Sequence, residues 1–323
     1  MDFTQEKLAL LNRSFFAWNH VSEGLCFKAG NVVVKFCLKG ENTQGMLSFL
    51  TSYFRPFIVS NESEIDVTIY YQAMNEEYSQ QTHPYWNEFN PTYRIFPATN
   101  KPGHNILQRD FSLYSNEAGD QAWAFGPFLD LDAIDTIDNI ITVTLTRQLI
   151  KKGSLGLHAA CVEKDDQAYI FFGASGAGKS TLADFCQKKL NLKILSGDQI
   201  YLHFEKEHLI ATPCTNTIPD YPATHPMRVT TPLPIAGLIH LVQKDDGQFH
   251  FDQLSAPKFL AVFLRETLCW QDFNQAKELL NLASQIFNYP HILRGQMSYP
   301  LNYSFWNDLM SIKKSKEKNE TRR

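Results

Sequence analysis

Hydrophobic and polar positions change their spacing along the chain, and the change divides it. From residue 1 to 125 apolar residues run in short blocks or alternate with polar ones, as in Gly24–Phe27, Asn31–Leu38 and Ile65–Tyr71. Ala29-Gly30-Asn31 and Lys39-Gly40 punctuate these blocks as turns. Period-two patterning between turn residues predicts strands. One helix is expected near Thr43–Phe54. The stretch Pro84–Phe96 gathers Tyr85, Trp86, Phe89, Tyr93 and Phe96 among Pro and Asn. It reads as a loop anchored on a core by its rings, with a ligand groove as the alternative.

From Asp132 the spacing becomes helical, with Ile134, Ile137, Ile141, Leu145 and Leu149 three or four apart. Asp132 and Asp135 open this helix, Lys151 and Lys152 close it, and Gly153 caps it, which suits the helix dipole and the left-handed C-cap. Asp130, Asp132, Asp135 and Asp138 lack the loop glycine and terminal Glu of a calcium-binding EF-hand and read as a solvated helix start. Two apolar strands follow, Ser154–Val162 and Ala168–Phe172, joined by a polar turn. The tail from Lys313 to Arg323 is charged without apolar periodicity and is expected to fray.

Composition narrows the classes. The chain has 323 residues, 44% hydrophobic and 20% charged, enough for two packed units. A formal net charge of -4 leaves no cation excess for a polyphosphate backbone, so nucleic acid is not expected as a partner. The start MDFTQEKLALLNRSFFAW carries Asp2 and Glu6 and lacks a basic region before an apolar run, unlike a secretory signal. No run reaches the roughly 18 apolar residues that span a bilayer. Cys26, Cys37, Cys161, Cys186, Cys214 and Cys269 show no CxxC or zinc-type grouping and read as reduced, buried residues of a cytoplasmic protein.

The chemistry concentrates in Gly173-Ala174-Ser175-Gly176-Ala177-Gly178-Lys179-Ser180-Thr181, which fits the phosphate-loop pattern G-x-x-x-x-G-K-[ST]. The apolar strand before it and the helical pattern Leu182, Phe185, Leu190 after it supply the context the motif needs. Glycines let successive backbone N–H groups turn inward on phosphate oxygens, and the helix N-terminus adds its positive end. Lys179 brings a mobile charge to the β and γ phosphates, and the Ser180 hydroxyl can ligate Mg²⁺. Such a loop wants an acid at the end of a neighbouring strand. Leu192–Asp198 offers it: a strand parallel to the one before the loop places Asp198 at the same edge, able to meet Mg²⁺ or the acceptor hydroxyl.

Leu157-His158-Ala159-Ala160, then Gly173–Ser180, then Leu195-Ser196-Gly197-Asp198, resemble in order and spacing the P-loop superfamily shared by HPr kinase/phosphorylase and phosphoenolpyruvate carboxykinase. Ala211-Thr212-Pro213-Cys214, Pro232-Leu233-Pro234 and Gly237–Leu241 extend the resemblance, which covers residues 153 to 265. It implies an α/β fold, a P-loop nucleotide-binding domain of HPr-kinase/carboxykinase type over 126–312; the β-rich α+β lobe that patterning predicts over 1–125 lies outside the resemblance and is a candidate for substrate or partner recognition. It further implies an ATP-dependent, Mg²⁺-requiring kinase that phosphorylates a serine-type hydroxyl on a protein, peptide or small molecule, and a possible homo-oligomer with no membrane partner. Lys179, Asp198 and His158 are then the catalytic candidates, and Ser180 and Asp198 the metal ligands. Gly197 stands where the family pattern has the first of two acids, and the family's later glycine-rich signature is missing. A nucleotide sensor or scaffold with little turnover and a carboxykinase-like enzyme therefore stay open. Arg265 and Arg294 are further candidate cations for the γ-phosphate.

Overall fold

The computed structural model describes residues 24–40, 42–59, 65–73, 94–98, 102–108, 111–126, 133–214, 227–243, 248–268, 275–298 and 304–320. Most of the Pro84–Phe96 aromatic stretch, Asp130, Asp132 and Cys269 lie outside the described residues. The described chain is mixed α/β with two mixed sheets, in two compact units, Met1–Gln148 and Leu149–Arg323.

The first unit carries a seven-stranded sheet in the order β1-β2-β3-β7-β6-β5-β4. Its strands are β1 (Gly24–Ala29), β2 (Val32–Lys39), β3 (Val67–Ala73), β4 (Arg94–Pro97), β5 (Gly103–Leu107), β6 (Ser112–Asn116) and β7 (Gln121–Gly126). β1 and β2 form a hairpin, β2, β3 and β7 run parallel, and the rest pair antiparallel. Helix α1 (Thr43–Tyr53) falls where its periodicity predicts, and the following Phe54 stacks on Phe27 at 4.5 Å.

Helix α2 (Ala133–Lys151) begins within a residue of its expected start, and Gly153 takes the left-handed conformation just beyond it. It groups almost wholly with the first unit, so the division falls at 148/149 rather than 125/126. The change of period marks a change of secondary structure, while the packing boundary comes one helix later.

The second unit holds an eight-stranded sheet of β8 (Ser154–Lys164), β9 (Gln167–Phe172), β10 (Lys193–Ser196), β11 (Gln199–Glu205), β12 (His208–Pro213), β13 (Leu233–Leu241), β14 (His250–Asp252) and β15 (Leu293–Ser298). Helices α3 (Lys179–Leu190), α4 (Ala256–Arg265), α5 (Ala276–Asn288) and α6 (Ser304–Glu320) accompany it. Alternation along the strands builds two cores. Ile170 and Phe172 of β9 pack with Phe259 and Phe263 of α4 and Ile286 of α5, whereas Tyr169 and Phe171 pack with Leu182 and Cys186 of α3 and Phe305 and Trp306 of α6. A sheet buried on both faces explains why β9 reads as a continuous apolar run.

The tail behaves differently from the expectation of fraying. α6 continues through Lys313, whose ammonium bonds Gln167 Oε1 at 2.7 Å and Tyr169 Oη at 3.0 Å and lies over the Tyr169 ring. Lys and Glu are good helix formers, and a helix already seated by Phe305, Trp306 and Leu309 needs no apolar periodicity to continue. The five described cysteines are buried and form no disulfide, and burial pushes the Cys186 thiol up to about 12. No helix among the described residues is long and apolar enough to cross a membrane.

Candidate functional site

The glycine-rich segment links the end of β9 to the start of α3, so strand, loop and helix stand in the order the pattern requires. Gly173 must be glycine: a Cβ there would lie 2.7 Å from the Leu241 carbonyl oxygen, at a backbone φ of 154°. Gly176 and Gly178 take φ of 80° and 93°, a region that side-chain-bearing residues rarely adopt. Ala177 N–H closes a turn on the Ala174 carbonyl at 3.0 Å, and Gln243 Nε2 holds the Gly176 carbonyl at 2.6 Å. Gly178 is the N-cap of α3 and gives its carbonyl to Leu182 N–H. The preceding N–H groups of the first turn have no intrahelical acceptor.

Lys179 is buried, and its ammonium donates to the carbonyls of Gly173 at 2.7 Å and Ala174 at 3.2 Å. Burial lowers its pKa, opposed by the negative charges of Glu266 and Asp198. The amine therefore reaches across the loop and sits within the field of both acids.

The expected parallel relation of Asp198 to the loop holds through an intervening strand. β10 pairs antiparallel with β8, and β8 antiparallel with β9, so β10 runs parallel to β9. The Ser196 hydroxyl accepts the N–H groups of Asp198 at 3.3 Å and Gln199 at 3.0 Å, which turns the chain between β10 and β11. Gly197 is buried at this turn with its carbonyl 3.5 Å from Ser180 Oγ, bringing the Ser180 hydroxyl beside the residue that carries the acid.

His158 lies on β8 in the alternating set whose member Ala160 packs with Ala183 of α3, on the side of the sheet that bears the loop helix. Its Nε2 is 2.9 Å from Asp198 Oδ1, the imidazole 33% and the carboxylate 62% exposed. That hydrogen bond is the largest of several influences that hold the Asp198 carboxyl below the ordinary range, against some desolvation. Lys179, Ser180, Asp198 and His158, expected from sequence, therefore do come together. Ser180 and Asp198 are hard oxygen donors, the kind Mg²⁺ takes one or two of while keeping water and phosphate oxygens. Among the described residues no group of three or more His, Cys, Asp or Glu side chains is arranged to enclose a metal.

The two arginines part company. Arg294 donates to the Tyr289 carbonyl at 2.6 Å beyond the end of α5 and lies over the Phe287 ring, so it serves a helix terminus. Arg265 reaches the site indirectly, its Nε 2.9 Å from Glu266 Oε1. Two residues of the site, Glu266 and His240, escape a reading of the sequence. Glu266 is only 8% exposed, with Oε2 3.9 Å from His158 Nδ1. His240, at the end of β13 beside Gly173, is buried with Nδ1 unpartnered, and desolvation lowers its pKa. The signal for Glu266 is faint: an acid following a basic helix end, one residue after Arg265.

The chain matches no family model and no curated protein. Among solved structures it is similar to the HPr(Ser) kinase/phosphatase from Coxiella burnetii, at 13% identity over 51% of this chain and 98% of that one, with a TM-score of 0.29. A likeness at that score says nothing about the chemistry of the site.

Proposed function

We propose that this protein is an ATP-dependent kinase that transfers the γ-phosphate to a hydroxyl group on a protein, peptide or small molecule. The observation that carries the reading is the convergence of Lys179 and Ser180, at the start of α3, with the Asp198–His158 pair at 2.9 Å. The loop from Gly173 to Thr181 binds the phosphates through backbone N–H groups and the lysine ammonium. Ser180 and Asp198 would hold Mg²⁺, which would supply positive charge to offset that of the transferring phosphoryl group. His158, next to Asp198, takes the hydroxyl proton. Phosphoryl transfer relies mostly on alignment and charge stabilisation, so a site with Gly197 in place of a first acid still turns over, slowly.

Titration calorimetry with MgATP, together with transfer of labelled phosphate to serine-containing peptides, small alcohols and water, tests the reading. Binding and transfer by the wild type, with both lost in Lys179→Ala, are expected. Failure of the wild type to bind overturns it. Binding without transfer to any acceptor, water included, favours the nucleotide sensor, the reading that Gly197 supports.

A further inference from the structure

The glycine-rich loop lies against the end of β13, and that strand gives it more than a wall. His240 pairs with Phe172, the last residue of β9, and the two rings lie 5.4 Å apart. The Leu241 carbonyl fills the space in front of Gly173, and Val242 N–H donates to the Met297 carbonyl of β15 at 3.0 Å. Held between two parallel neighbours, β9 and β15, the chain delivers Gln243 beside the middle of the loop. There Gln243 Nε2 donates at 2.6 Å to the carbonyl of Gly176, 67 residues away in sequence. A carbonyl can only accept, so the nitrogen of this amide, and not its oxygen, must face the loop.

The peptide unit joining Gly176 to Ala177 is thereby held at both ends. Its carbonyl takes the Gln243 amide, and its N–H, which points the opposite way in a trans peptide, donates to the Ala174 carbonyl at 3.0 Å. The Ala174 carbonyl also takes the Lys179 ammonium, so the N–H lies on the lysine's side of the loop and the Gly176 carbonyl on the other. Packing does not hold this unit, because a Cβ at Gly176 would meet no atom within 4 Å. Glycine on one side lets the peptide plane turn over at little cost. Turned over, it would set a carbonyl oxygen where Lys179 reaches for phosphate, and an anion site built from N–H groups would gain a repelling one.

We propose that Gln243 is a positioning residue of the phosphate loop, locking the 176–177 peptide with its carbonyl turned away from the phosphates. This rests on the kinase reading above for the ligand, whereas the lock itself belongs to the nucleotide-free chain. Gln243 acts through the loop backbone, and what its position requires is a hydrogen-bond donor. That requirement separates Gln243→Glu, which keeps the shape and only accepts, from Gln243→Lys, which donates.

Two measurements test this on the full chain. In nucleotide-free protein near neutral pH, hydrogen–deuterium exchange across the loop should run at least about threefold faster in Gln243→Ala and Gln243→Glu, as loss of one net hydrogen bond predicts. Gln243→Lys should return it close to the wild-type rate, and exchange across β13 and β15 should not change in any of the three. Unchanged loop exchange in the first two variants overturns the proposal, and so does faster exchange across the strands, which would mean general loosening rather than a lock. By calorimetry, MgATP affinity should fall roughly three- to tenfold in Gln243→Ala. Affinity equal to wild type in that variant, with loop exchange raised, would show that the turned peptide is tolerated and would overturn the positioning role. Wild-type protein that binds no MgATP defeats the kinase reading, while the exchange rates still decide the lock.

Discussion

The glycine-rich loop and the cluster proposed above as the proton end of the site lie side by side yet are built by opposite means. The loop is one unbroken stretch of nine residues, Gly173 to Thr181, and nearly all it offers is backbone: N–H groups, left-handed glycines and one lysine folded over its own carbonyls. The proton end is side chains from three distant stretches, His158, Asp198 and Glu266, brought together because two segments pair with opposite edges of β8. Local construction makes the loop legible in a sequence and vulnerable to single backbone changes. Assembled construction hides the proton end and makes it depend on strand pairing.

If that contrast is right, the loop should fail in binding and the proton end in turnover. The largest effect is expected for Lys179→Ala, with MgATP affinity falling at least about a hundredfold by calorimetry while the melting temperature stays close to wild type, since the ammonium serves the loop and not the core. Next comes Asp198→Asn: kcat should fall by roughly two to three orders of magnitude with ATP still bound, in single-turnover assays. Loss of ATP binding in that variant would erase the distinction between the two ends. His158→Ala should cost less, about tenfold in kcat, because alignment and charge stabilisation survive it.

The smallest expected effect is on stability in acid. His158 holds the Asp198 carboxyl below its ordinary 3.8, so the folded state binds this proton less readily than the unfolded chain does. The pair's contribution is present above that ordinary value and is lost as pH falls through the lower folded one. The carboxylate is largely exposed, so the gain is screened. Denaturant midpoints between pH 5 and 2.5 should therefore fall slightly more steeply in wild type than in His158→Ala; parallel curves would remove the hydrogen bond from the account.

Much of the second unit can be read from residues alone. β8, β9 and α3 are legible because their apolar spacing is strong and the glycines between β9 and α3 have few other uses. Asp198 is found through its distance from the loop, even though the strand it shares an edge with is reached through β8. Glu266 is not, because pairing of the Thr267 segment with β8 is a tertiary event without a local signal, and an acid at a helix end is ordinary. The unit boundary is misplaced for a related reason: α2 announces a new periodicity at Ala133, and only packing shows which side it joins. The charged tail reads as frayed when charge is equated with solvation, whereas Lys313 lays its stem on Tyr169.

The eleven residues of β8 also act as an index. Side chains alternate along a strand, so sliding it by one position exchanges the two faces completely. Leu157, wholly buried in the core with Phe259 and Phe263, would then turn to the side that bears α3, and the imidazole would enter a hydrocarbon interior. No intermediate setting exists between these registers. The carboxylates on either side of His158 are therefore placed in discrete steps, like teeth on a ratchet, and the site can be lost by a single-residue deletion in β8 that leaves every one of its chemical groups in the chain.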